Sequence, residues 1–441
     1  MQRTYNSDSM RSSQMGATMY SENNALFTAA QVNENYGILQ VQVVCELGAR
    51  PVEYAQVQIY NKYDPDTVIL DLTTDASGKT KEIELPAPPI EYSMVPSANR
   101  PYAEYRVVIS APGLQTVVID STQLLPYVKT IQPIRMPRRE MESNEVKLIY
   151  IGPHFLYGDY PPKIYEAEVK DNFISSEPLM IPESILVHDG LPDDSSATNY
   201  TVDYRDYIKN VVSCQIYGNW IPETIYANIL ARLSFSLNRI YTNWYKNQGY
   251  DFTITSSTEY DQLWIYGRNI DSNISLAVDY IFNYFLSRPE ITQPILTQAC
   301  TGIPSDCPGM LSLWGSKFLG DQSYKAIDIL RYYYGEQIYI NSTDNIEGIL
   351  PWPQGEFTEG STSEAVRQLQ EKLTILSRAY NEIPLITEEG LFGEETKNAV
   401  MAFQKIFDLP VTGIVDAPTW YKISQMYNRL INSSNLCQTY T

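Results

Sequence analysis

Histidine is nearly absent from this chain. Its 441 residues include two, His154 and His188, far apart in sequence, so a multi-histidine metal centre cannot be assembled from them. The five cysteines (Cys45, Cys214, Cys300, Cys307, Cys437) are odd in number and scattered, unlike the dense, even set of a small secreted disulfide scaffold. No window approaches the ~18 consecutive apolar residues of a membrane-spanning helix. The N-terminal stretch MQRTYNSDSMRSSQMGATMYSENNALFTAAQ also has no apolar core of the length a secretory signal requires, so a product that starts in the cytoplasm is expected. Positive charge is short too: 32 Lys and Arg stand against 52 Asp and Glu, a net charge of −20. A phosphate backbone would be repelled over most of such a surface, which excludes nucleic acid as a partner.

What remains is a globular composition, 44% apolar and 19% charged, over a length that at ~150 residues per domain allows about three cores. Tyrosine is in excess, with 35 Tyr against 12 Phe, so most aromatic rings carry a hydroxyl that seeks water or a partner. Semi-polar surfaces suited to packing between subunits are expected. Residues 1–36 lack periodicity and read as an N-terminal arm, flexible or ordered only against a neighbouring subunit. From residue 37 the pattern turns to period two (ILQVQVV, VEYAQVQIY, TVILDLTT, EIEL, YRVVISA, TVVIDST), broken by Gly, Pro and Asp turn signals. This predicts a small antiparallel β-sandwich over 37–137. Residues 138–180 mix charge, Pro and aromatics and read as a linker, with His154 a structural loop histidine.

Residues 181–340 read as a mixed α/β region. Over 222–246, Ile225, Ile229, Leu233, Ser236, Leu237 and Ile240 recur at helical spacing behind Pro222 and Glu223, which predicts a long helix with a buried stripe. A second helix is expected over roughly 274–285, and a third, KAIDILRYYYG, is expected to end at Gly335. Residues 341–360 are a Pro- and Gly-containing linker, 361–428 a compact three-helix module, and 429–441 a tail. The fold class expected is multidomain α+β.

Three segments carry family resemblances. PVEYAQVQIY ahead of TTDASGKT resembles the carboxypeptidase-regulatory-like, immunoglobulin-type β-sandwich domains, which hold or space other domains and carry no catalytic residues. The C-terminal module is similar to the peptidoglycan-binding domain of bacterial wall hydrolases. Its pattern falls on Val366, Leu369, Gln370 and Leu373, then Gly390, Phe392, Gly393, Thr396, Ala399, Val400, Phe403 and Gln404, then Gly413, Val415, Thr419 and Trp420. Most of these are core positions on helix inner faces. The resemblance leaves Phe392, Gly393, Trp420 and Tyr421 as candidates to touch a wall ligand, although Trp420 reads first as core. The middle region (YIKNVVSCQIYGNWIPETIYANILARLSFSLNRIY, ITSSTEYDQLWIYGRN, TQACTGIPSDCPGMLSLWG, KAIDILRYYYG) resembles the stage II sporulation protein D family, lytic transglycosylases of spore formers that cut peptidoglycan glycan strands. Together the three parts resemble a clostridial group of such proteins.

The chemistry of that family rests on a glutamic acid five residues before a Trp, one carboxyl acting as acid and then as base. Here that place is Gln215, ahead of Trp220, and an amide can neither donate nor accept the proton. In the family's G-x-S-Q-W-G turn, Leu313 replaces the glutamine within GMLSLWG. The carboxylates that could substitute are Glu223, which reads first as a helix-capping charge, and Glu259. The resemblance implies glycan-binding roles for Trp220, Asp261, Gln262, Tyr266, Ser312 and Trp314. Cys300 and Cys307 are expected as a disulfide or two free thiols rather than the zinc site that some family members hold with a histidine. Cys214 has no neighbour in the motif to activate it, Cys45 is expected to pack in the sandwich, and His188 to be structural at a strand end.

The function expected is that of a peptidoglycan-binding pseudoenzyme, a lytic transglycosylase-like protein used as a self-assembling component of the spore surface, the coat or a parasporal array. It is made in the cytoplasm of a sporulating mother cell and needs no metal or cofactor. The expected partners are peptidoglycan of the cell wall or spore cortex and further copies of the chain in a homo-oligomer or lattice; no membrane is involved. The alternatives are an active lytic transglycosylase acting on spore cortex and a wall-binding accessory of a separate hydrolase.

Overall fold

The β-rich half begins where the period-two pattern begins. In a computed structural model that describes residues 35–45, 50–139, 145–154, 156–157, 179–289, 293–300 and 309–432, strand β1 (Tyr36–Cys45) buries Leu39, Val41 and Val43 on one face. The arm through residue 34, most of the 158–180 segment, Cys307, Cys437 and the tail beyond 432 lie outside the described residues. Strands β2 (Gln56–Asn61), β3 (Asp64–Thr73), β4 (Ile83–Pro86), β5 (Ala103–Ser110), β6 (Val117–Leu124), β7 (Lys129–Met136) and β8 (Lys147–Tyr150) follow, with a short helix α1 (Glu91–Met94) after β4. One sheet has the order β3-β2-β5-β6-β8, and β4, β1 and β7 belong to the other. Val57, Ile59, Val107, Ile109, Val117 and Ile119 from the first sheet meet Leu39, Val41, Val43 and Ile134 from the second in one core. Alternation along each strand is what makes such a two-layer core possible.

Two expectations are corrected here. The sheets are not wholly antiparallel: β1 pairs with β7, and β6 with β8, in parallel. Strands β7 and β8 also lie outside the period-two runs of the sequence. Pro133 interrupts the pattern of β7, yet β12 of the next region (Ile270–Asp271) pairs β7 only at Thr130 and Ile131. Beyond them that side of β7 is an edge, where proline is tolerated.

Strand β12 also carries the sheet across the expected boundary. Around it, Asn269 Nδ2 donates to the Gln123 carbonyl (2.8 Å) and its Oδ1 accepts from Gln123 N–H (3.0 Å), imitating a ladder residue. Arg268 Nη1 donates to Gln123 Oε1 (2.7 Å), and Gln132 Nε2 donates to the Gly267 carbonyl (2.9 Å). From Asn35 onward the chain packs as one unit.

The middle region sets β9 (Ser184–His188), β10 (Asn199–Asp203) and β11 (Ile254–Thr255) in the order β10-β9-β11 beside two helices. Helix α2 (Tyr204–Gln215) starts at Asp203, whose side chain accepts from Arg205 N and Asp206 N. Helix α3 (Pro222–Tyr241) has proline at its first turn and stops before Asn243, whose φ is 48°. Helix α4 (Ser272–Ile281) follows β12; β13 (Tyr284–Ser287) pairs with β16 (Tyr339–Ser342), and β14 (Ala299–Cys300) with β15 (Leu311–Ser312). Helix α5 (Leu313–Asp321) is capped by Ser312, and α6 (Ala326–Tyr334) ends against Gly335 at φ 97°, a conformation that favours glycine.

The C-terminal helices are α7 (Glu364–Leu376), α8 (Glu394–Ile406) and α9 (Ala417–Asn432). Their inner faces bury Val366, Leu369, Leu373, Val400, Phe403, Trp420 and Ile423.

Candidate functional site

The residues at the two ends of the α2–α3 turn decide the chemistry of the middle region. Gln215 closes α2 and is 4% exposed. It lines a cleft with Arg232 and Phe235 of α3, with Thr258, Asp261 and Gln262 of the following loop, and with Thr297 and Ala299 beside β14. Arg232 and Phe235 are three apart and so share a helix face. The space amounts to about 10 Å³, where a single water needs roughly 10–15 Å³ by the same measure. In this conformation the cleft has no room for a sugar ring.

Asp261 is the carboxylate on its wall, and its oxygens are committed to the fold. Arg239 Nε donates to Oδ1 (2.8 Å), while Oδ2 accepts from the Tyr245 hydroxyl (2.5 Å), Thr255 N–H (2.9 Å) and the Thr255 hydroxyl (2.7 Å). Gln262 accepts from the Tyr207 hydroxyl (3.2 Å) and donates to the Arg232 carbonyl (3.3 Å). Beside this well-compensated group, Arg232 is 1% exposed and its Nε and Nη2 have no hydrogen-bond partner among the described residues. Burial pushes its guanidinium down to about 10.

The other residues expected at a glycan groove lie elsewhere. Trp220 and Trp314 are buried with ring centroids 5.1 Å apart, and Tyr217 packs edge-on against both. Trp220 Nε1 donates to the Ser93 carbonyl (2.9 Å) and Trp314 Nε1 to the Leu156 carbonyl (2.7 Å), so both indoles tie the middle region to preceding segments. Ser312 accepts from Gly315 N–H as the cap of α5. Tyr266 is half-buried and stacks on Tyr200 at 4.6 Å. The cleft therefore gathers Gln215, Asp261 and Gln262 of the expected set, not Trp220, Tyr266, Ser312 or Trp314.

Neither candidate substitute acid lines the cleft. Glu223 accepts from Ala326 N–H (2.8 Å) at the start of α6 and from Lys325 Nζ (3.0 Å), contacts that hold its carboxyl below the usual range against its own burial. Its capping serves a neighbouring helix. Glu259 sits in a turn where its N–H donates to Ser257 Oγ (3.2 Å). Asp271 is a fully desolvated carboxyl, pushed up to about 6 by burial, with Arg268 and the Gly218 N–H opposing the rise. It packs against Gly218, where a Cβ would stand 2.6 Å from the Asp271 Cβ, and it too is outside the cleft.

The thiols and imidazoles are structural. Burial pushes Cys214 up to about 12, and its Sγ lies 3.4 Å from Asn210 Oδ1. Cys45 is buried in the β-rich core region. Cys300 is disulfide-bonded, and Cys307 lies outside the described residues. His188 holds Asn199 Oδ1 (2.7 Å) and the Leu191 carbonyl (3.0 Å) and stacks on Phe252. His154 is buried and kept neutral by desolvation, with Arg268 also disfavouring its charged form.

In the C-terminal module the motif glutamines act as staples. Gln370 Nε2 donates to the Leu391 carbonyl (2.8 Å) and Thr396 Oγ1 (2.9 Å), while its Oε1 accepts from Gly390 N–H (2.7 Å). Gln404 Oε1 accepts from Thr412 and Gly413 N–H groups (2.9 Å each), and its Nε2 donates to the Ile414 carbonyl (2.8 Å). Phe392 is 0% and Trp420 1% exposed, and a Cβ at Gly393 would meet Glu388 Oε2 at 2.2 Å. Tyr421 donates to Asp344 Oδ1 (2.9 Å) and packs edge-on against Phe282 of the middle region. Phe392, Trp420 and Tyr421 are thus interior or interfacial in this packing, while Gly393 is half-buried beside the exposed Glu388.

Residues 362–423 match the family model for a peptidoglycan binding domain. Over 81 residues the chain is 36% identical to a zinc D-Ala-D-Ala carboxypeptidase of Streptomyces albus G, a match covering 18% of this chain and 30% of that protein. The chain thus spans under a third of the curated relative's length. Among solved structures, GBS52, the minor pilin of the gram-positive pathogen Streptococcus agalactiae, aligns over 25% of this chain and 47% of its own at 13% identity, with a TM-score of 0.17. The chain carries a C-terminal peptidoglycan-binding domain, and among its described residues no helix is long and apolar enough to cross a membrane.

Proposed function

We propose that the protein holds peptidoglycan without cutting it, as a structural, self-assembling component of a spore surface or parasporal array in which a transglycosylase-like middle region has lost its acid. Peptidoglycan is the partner that the 362–423 domain supports. The likeness to a zinc D-Ala-D-Ala carboxypeptidase supports the same polymer. The observation that carries the loss of chemistry is the composition of the cleft: an amide at Gln215, and a carboxylate at Asp261 already engaged by four donors. General acid catalysis contributes typically ~10²–10⁴-fold, so a cleft without a transferable proton is expected to be inert. A stage II sporulation protein D-like origin for 181–340, an immunoglobulin-like origin for 37–137, and lattice formation through tyrosine-rich surfaces belong to the same proposal.

The test is a gain of function. Wild-type protein should release no soluble glycan from purified spore cortex, and Gln215→Glu should release some. Release by wild type that disappears in Glu223→Gln or Glu259→Gln would contradict the proposal. Self-assembly is read separately, by light scattering and electron microscopy of the pure full chain.

A further inference from the structure

Four arginines with 5% exposure or less lie in the middle region, and three are compensated. Arg239 has Asp261 and the rings of Phe235, Trp244 and Tyr245; Arg205 has Asp279; Arg268 donates to the Ser213 carbonyl and Gln123 Oε1. Arg232, two helical turns before Arg239, is different. Its Nε and Nη2 are desolvated and unpartnered among the described residues, and it faces the cleft. The nearby tyrosine hydroxyls are used elsewhere: Tyr207 donates to Gln262 Oε1, and Tyr334 to the Gln298 carbonyl. A buried charge left alone is strongly destabilising, so a retained one implies a partner that arrives from outside.

The identity of the two vacant nitrogens narrows that partner. Nε and Nη2 share one edge of the guanidinium, and their N–H bonds run parallel at the spacing of the two oxygens of a carboxylate. We propose that the Gln215–Arg232 cleft is a receptor for a carboxylate end group, held side-on by Arg232, with Gln215 and Thr258 lining the same cleft. That the carboxylate comes from peptidoglycan stem peptides rests on the wall-binding reading above. The receptor assignment itself rests on Arg232.

The test titrates the full chain with sodium acetate, D-alanyl-D-alanine and the C-terminal amide of that dipeptide, by calorimetry and by thermal midpoint at matched ionic strength. Both acids should bind and raise the midpoint, the amide should not, and Arg232→Met should weaken the acids by more than about tenfold, as expected for two charge-assisted hydrogen bonds. Arg232→Met replaces a buried charge by an apolar chain of similar length and is expected to fold. Equal binding of the amide, or an unchanged response in Arg232→Met, overturns the receptor. A dipeptide no tighter than acetate overturns the stem-peptide source. Sedimentation of Arg232→Met with purified wall fragments runs in parallel: if it pellets like wild type while wild type ignores both acids, the receptor fails and the wall-binding reading stands.

Discussion

A carboxyl and an amide occupy nearly the same volume, but the amide of Gln215 can neither donate nor accept a catalytic proton. Elsewhere single residues report on their surroundings just as sharply. Asp271 is pushed up to about 6 by burial. The folded protein therefore keeps a proton that the unfolded chain, with an ordinary value near 3.8, has already released. Between those two values stability falls as pH rises, by up to about 3 kcal/mol in all. Asp271→Asn removes this dependence, so the midpoint of the variant relative to wild type is expected to be higher at pH 7.5 than at pH 4.5, measured by calorimetry. An identical difference at the two pH values would show that the carboxyl is not desolvated. The motif glutamines allow a second residue-scale expectation. Gln404→Ala strands the buried Gly413 N–H and the half-buried Thr412 N–H, and should destabilise the full chain by about 2–4 kcal/mol in a denaturant titration.

Elements were legible where their burial was one-sided. The alternation of β1, β2 and β5 follows from one face turned to a core and the α6 stop from the positive φ of Gly335, whereas the α3 stripe is legible although every residue from Ala227 to Leu237 is buried. Helix α2 carries a stripe at helical spacing, Tyr204, Tyr207, Ile208, Val211 and Val212, that stays unread in the sequence analysis, and its other face is buried too, with Arg205 and Lys209 inside and paired to Asp279. Strand β7 was hidden by Pro133, and β12 by being two residues long. Arg232 left a signal that was passed over, a lone cation between Ile229 and Leu233 on the buried stripe of α3. What spacing cannot reveal is whether such a cation finds a partner, because Asp261 reaches Arg239 through tertiary folding alone. The seam formed by β12 gives the prediction at this scale. Asn269→Ala leaves the Gln123 backbone N–H and carbonyl unsatisfied in a buried place, and should cost about 2–4 kcal/mol while opening the 267–271 segment to limited proteolysis.

Across the whole molecule the three sequence regions are joined by buried and part-buried polar contacts. Asp408, after α8, receives Lys79 Nζ (2.7 Å) and Lys129 Nζ (2.9 Å) from the β-rich part. Arg429 of α9 holds Asp203 (2.9 Å) and Asp206 (2.8 Å) at the start of α2. Lys422, pushed down to about 7 mainly by burial, lies 3.6 Å from Asp279, which Lys209 also holds at 2.6 Å. The C-terminal domain is therefore seated on the cleft-bearing region, with Tyr421 on that seat against Phe282 and Trp420 packed on Trp352 and Phe357. The position of Glu223 in capping α6, and of Asp261 in anchoring Arg239, likewise leaves both carboxylates with structural work. The measurement that tests this most directly is incubation of the wild-type full chain with purified peptidoglycan, followed by sedimentation and assay of the supernatant. The protein should pellet with the polymer and leave no soluble glycan fragments behind. Fragments accumulating in the supernatant, or protein remaining there with the polymer pelleted, would contradict a protein that grips the wall without cleaving it.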